Sequence, residues 1–153
     1  MTVGGDGRLS RIQYESGHEN SPGDPFGRTT LTLEADGRAR LDNLFVGQHR
    51  AWEGRVVSAT LDRLAAALHR SGFPTVPEHM LVPGTELRDL TVSGGAGSGR
   101  AILPWHQVTR WPGYDEAFAI LDGLVNRLSG GAIPLGADDF LRDEVIDSRQ
   151  VDS

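Results

Sequence analysis

Along the chain, apolar residues alternate with polar ones in several short stretches and recur every three or four positions in two longer ones. These are the periods of half-buried strands and of amphipathic helices. In 8–16, Ile12 and Tyr14 share one face, which predicts a first strand. In 28–34, Leu31 and Leu33 share a face opposite threonines, and Asp36-Gly37 then leads into a second alternating run ending at Leu41. An Asp-Gly pair between two alternating runs predicts a tight hairpin, because glycine takes a positive φ at little cost. The segment 43–55 has no clean period; Leu44-Phe45-Val46 either extends the second arm or opens a third strand.

Ser58 is placed to cap a helix in which Leu61, Leu64, Ala65 and Leu68 form one stripe, and Ser71-Gly72 followed by Phe73-Pro74 is a helix stop. The runs 86–93 and 100–105 read as two strands joined by the glycine-rich turn 94–99, with Pro104 suited to a strand end or a sheet edge. A second helix should start near Pro112, with Asp115 and Glu116 in its first turn. Its stripe is Tyr114, Phe118, Leu121, Val125 and Leu128, and Gly130-Gly131 ends it. The segment 137–145, carrying Phe140, Leu141 and Val145, predicts a short C-terminal helix that either docks or frays. Segments 17–27 and 75–85 are rich in turn formers and read as loops. The order strand, strand, helix, strand, strand, helix predicts an α+β fold: an antiparallel sheet of four to five strands, two main helices packed on one face, and the short terminal helix. We expect a flexible N-terminus over 1–7, one domain over 8–130 and an acidic tail over 131–153.

Composition narrows the chemistry. At 153 residues the chain can bury a core unaided, and its lack of cysteine excludes disulfides, thiolate metal sites and a cysteine nucleophile. The net charge is −6, and all 15 basic residues are arginines dispersed among acids, as Arg38 and Arg40 are beside Glu34, Asp36 and Asp42. That pattern argues against nucleic-acid binding. An arginine-only basic set excludes a Schiff-base or phosphate-loop lysine and points to a GC-rich bacterial genome. With no basic-then-apolar leader and no run of about 18 apolar residues, the expected location is the cytoplasm, away from membranes.

Each possible site has a bland alternative. The glycines of 94–99 are followed by a strand, not by Gly-Lys-Ser/Thr and a helix, so they read as a turn and not as a phosphate cradle. His18, His49, His69, His79 and His106 show no zinc-site spacing, and Gly97-Ser98-Gly99 is only a fragment of a nucleophile elbow. Asp138-Asp139 and Asp143-Glu144 read as a solvated charged face. No metal, cofactor or catalytic set is expected. Trp105, Arg110 and Trp111 form a candidate partner-binding patch, since tryptophan and arginine concentrate at interface centres; the competing reading has the tryptophans completing the core.

A first strand ending in Ser16-Gly17, a helix ending Gly72-Phe73-Pro74, a strand around 87–92, a glycine turn, a return strand through Ile102 and a closing helix after Pro112 together resemble bacterial emfourin-like proteins. That resemblance implies a small α+β inhibitor of thermolysin-type metalloproteases. In size, acidity and lack of cysteine the chain is also similar to immunity proteins of polymorphic toxins. The expected function is therefore a non-enzymatic protein-binding domain, an inhibitor or immunity protein with a protein partner. The alternative is a small-molecule-binding domain or an enzyme whose site draws on remote residues such as His106, Asp115 and Tyr14.

Overall fold

Strands β1 (Arg11–Ser16), β2 (Arg28–Glu34), β3 (Arg38–Phe45) and β4 (Gln48–Val56) pair in succession as an antiparallel meander. The computed structural model describes residues 10–16, 27–45, 47–76, 87–94, 99–108, 110–133, 135 and 145–151. The β2–β3 hairpin turns where the Asp-Gly pair predicts, with Gly37 at a φ of 95°. A side chain on Gly37 would also press on the Val56 carbonyl oxygen, at 2.6 Å, so this turn demands glycine twice over.

Helix α1 (Ser58–Ser71) leaves β4 almost at once. Its cap residue is Val57 and not the expected Ser58, which is already helical, and no side chain caps the helix start. The helix stops as predicted at Gly72, which is left-handed, and Phe73 turns into the core. Strands β5 (Leu87–Ser93) and β6 (Gly99–Pro104) form the second hairpin, and Pro104 ends an edge strand, where its missing N–H costs least. A single helical turn, α2 (Trp105–Val108), precedes α3 (Tyr114–Leu128). A last strand, β7 (Val145–Val151), pairs with β4.

Among the described residues the sheet therefore has seven strands in the order β6-β5-β1-β2-β3-β4-β7, every neighbouring pair antiparallel. This corrects the expectation of four to five. The two extra strands escaped the pattern for a physical reason. In β4 Arg50 and Gly54 occupy core-facing positions and Ala51 an outward one, which breaks the alternation, and β7 is exposed over most of its length, so neither carries a clean period of two. Both are held by ladder hydrogen bonds to a neighbour, which the side chains do not announce. Val145, expected to close a helix, instead starts β7. The rest of that expected helix, the loops 17–26 and 77–86, the glycines 95–98 and the segment 1–9 lie outside the described residues.

One face of the sheet, with Ile12, Tyr14, Leu31, Leu41, Leu90 and Leu103, meets the helices in a shared core. The predicted stripe of α3 is buried throughout, and α3 is covered on nearly every side. Helix α1 contributes Leu64, Ala67 and Leu68 and is tied to α3 by an Arg70–Glu116 ion pair.

Candidate functional site

The residues singled out from the sequence are dispersed. Trp105 and His106 stand in α2, directly after β6. Arg110 is exposed in the turn that follows, while Trp111 is half-buried, packed against the core and edge-on to Tyr114 with ring centroids 6.1 Å apart. The Trp111 ring thus serves the core as well as the surface. Asp115 is exposed at the start of α3, where its Oδ1 accepts the N–H groups of Gly113 at 3.1 Å and Glu116 at 2.7 Å, a helix-starting role. Tyr14 lies fully buried beneath α3, its ring centroid 5.3 Å from that of Phe118. Asp115 and Tyr14 therefore do not converge, one being on the surface and the other in the core.

What Tyr14 does join is a buried polar network that the sequence reading missed. Its hydroxyl donates to Asp122 of α3, and Arg88 of β5 donates from Nη1 to the Tyr14 oxygen at 2.6 Å and to Asp122 Oδ1 at 3.2 Å. Arg88 and Asp122 are each 3% exposed. Burial, then the negative charge of Asp122, pushes the Tyr14 phenol well above its ordinary pKa, against the opposing pull of Arg88. The phenol is a neutral donor over all ordinary pH. A signal was present: Arg88 shares a strand face with Leu90 and Val92, and Asp122 sits one turn after Phe118 inside the apolar stripe. A charge on each of two buried faces predicts that the two charges meet.

The opposite face of the sheet is polar, and no described element covers it. Strand register lines its side chains into rows that cross the strands. One row runs Arg100, Thr91, Gln13, Thr32, Arg40, Glu53, Arg149 from β6 to β7. The row beside it holds Ser93, Arg11, Glu34, Arg38, Arg55 and Ile146. On the other side of the first row comes Ile102, Asp89, Glu15, Thr30, Asp42, Ala51, Val151. Arginines are thus concentrated in two adjacent rows and acids in the third. Ion pairs run within the two arginine rows, Arg11–Glu34 at 3.1 Å, Arg40–Glu53 at 3.0 Å and Arg149–Glu53 at 3.9 Å, and Arg40–Asp42 at 3.1 Å ties the first row to the acidic one. Arg100 donates from Nε to Asp89 at 2.9 Å, and the ring of His49 meets Asp42 at 2.8 Å. Hydrogen bonds to Asp42 and Asp89 raise the pKa values of Arg40 and Arg100 still further.

One place in these rows is electrostatically unfavourable. Arg38 and Arg55 stand directly opposite each other on β3 and β4. Like charges so placed repel. Asp36 in the hairpin turn relieves part of this, taking Arg38 Nε at 2.8 Å on its carboxylate and Arg55 Nη2 at 3.3 Å on its carbonyl oxygen. The backbone N–H of Arg38, ahead of its guanidinium, holds the Asp36 carboxyl below its usual pKa.

Among the described residues no group of three His, Asp or Glu side chains could hold a metal ion, and no helix is long and apolar enough to cross a membrane. No protein-family model matches the chain, and no curated protein matches it either.

Proposed function

We propose that the chain is a non-enzymatic protein-binding domain, acting as an inhibitor or immunity protein on a bacterial enzyme or toxin. The observation that carries this reading is the outer sheet face that no described element covers, which spans seven strands and presents paired charges with two exposed apolar residues, Ile102 and Ile146, near its two edges. An extended, polar, rigid surface suits a macromolecule, whose many weak contacts it can meet at once. The buried titratable network supports the same reading, because Tyr14, Arg88 and Asp122 hydrogen-bond to one another inside the core and not at the surface. In the candidate patch at the α2–α3 turn, Arg110 offers the exposed cation and Trp111 part of its ring.

The test is affinity capture from a lysate of the organism that encodes the chain, joined to an inhibition assay against a thermolysin-type metalloprotease. A stoichiometric protein complex is the expected result, with inhibition assigning the protease class. A complex without protease inhibition would redirect the search to toxins. Turnover of a small molecule, abolished by a single substitution that leaves the fold intact, would overturn the proposal.

A further inference from the structure

The two arginine rows of the outer sheet face carry a charge opposite to that of the chain as a whole. Together they hold six arginines (Arg11, Arg38, Arg40, Arg55, Arg100, Arg149) and two acids (Glu34, Glu53), in a chain of net charge −6. At about 4.8 Å between strands, seven strands make this a band about 29 Å long. Building on the protein-binding reading, we propose that the band is the docking surface and that its occupant is an acidic segment of the partner protein.

Three features favour that occupant. Each guanidinium has five N–H donors, so an arginine already bonded to one carboxylate still has donors for another. The repulsion between Arg38 and Arg55 is relieved further by a carboxylate placed between them, an interaction gained only on binding. The adjoining row of Asp89, Glu15 and Asp42 repels acids, which confines an acidic segment to the band and fixes its orientation. A nucleic acid fits less well. Among the described residues of this face the only aromatic ring is the imidazole of His49, which Asp42 already engages, so bases meet no open stacking platform.

The test uses the full chain, isotope-labelled, titrated at low salt with a poly-glutamate peptide while its amide resonances are followed. Shifts confined to the outer rows of β1, β3, β4, β6 and β7, weakening with added salt, are expected. The double variant Arg38→Glu/Arg55→Glu should bind the peptide about tenfold more weakly or worse, whereas Arg63→Glu, at an exposed position of α1, should bind like the parent. If the double variant fails to fold, the shift map of the parent chain still decides. Shifts centred on the α2–α3 turn, the absence of binding, or tighter binding of a single-stranded oligonucleotide of equal length would each overturn the proposal. Its failure is separable from that of the functional reading: a captured partner that tolerates the double variant removes the band and leaves protein binding intact.

Discussion

At the scale of single residues, the Tyr14–Arg88–Asp122 network joins two charges and a phenol inside the core. Burying an ion pair gains little over a well-packed apolar substitute, but removing one member strands the other. We therefore expect Asp122→Ala to lower stability by about 3–5 kcal/mol in urea unfolding, and the joint replacement Arg88→Met/Asp122→Leu to cost clearly less than the single change. The two tyrosines give a pH prediction. Burial raises the pKa of both Tyr14 and Tyr114, so the fold holds the neutral phenols. The stability they lend is complete below pH about 10, where an unfolded tyrosine titrates, and is lost as pH rises through the higher folded values. Native protein should accordingly show little phenolate absorbance as pH first passes that point, and alkaline unfolding should release both signals together. Phenolate appearing at the ordinary tyrosine pKa in folded protein would contradict the burial of Tyr14.

At the scale of elements, β7 and the close approach around Gly54 decide how the sheet ends. A Cβ built on Gly54 would sit 2.9 Å from Leu128 Cδ2 of α3 and 3.1 Å from Ser148 Cα of β7. Gly54→Ala should cost about 1–3 kcal/mol by overpacking, read as a lower melting temperature. Deleting 145–151 should unpair the backbone of β4 and uncover Val56, so we expect lower stability and concentration-dependent association through the freed edge, visible by light scattering. The elements that could be read from sequence were those whose local pattern and tertiary role agree. The Asp36-Gly37 hairpin and α3 are examples: each has a period, a stop signal and a buried face that coincide. By contrast, β4 and β7 carry charged or exposed side chains over most of their length, and their strand geometry comes from a neighbour.

At the scale of the whole molecule, both helices and the inner face of the sheet share one core, which calls for cooperative unfolding. Tryptophan fluorescence and far-ultraviolet circular dichroism should report coincident urea transitions, because Trp52 is buried in the sheet core and Trp111 packs half-buried against α3. Separate midpoints would mean that the helices and the sheet unfold as distinct units. The same scale carries the charge pattern. Arginines that look dispersed among acids in sequence are gathered into two rows once the strands are in register, so a net charge of −6 coexists with a locally positive band.

The sequence by itself determined the elements that carry a clean period, such as the β2–β3 hairpin and α3, because a repeat of two or of 3.6 residues acts on neighbouring backbone and needs nothing remote to be read. It also determined which chemistries are absent for want of cysteine and lysine. The tertiary structure decided the rest. Which charges become neighbours depends on pairing between segments far apart in the chain, as Arg11 with Glu34, or Arg88 with Tyr14 and Asp122. Such pairs are selected by the packing of the whole sheet against α3, and a one-residue slip in any strand would send each of its side chains to the opposite face.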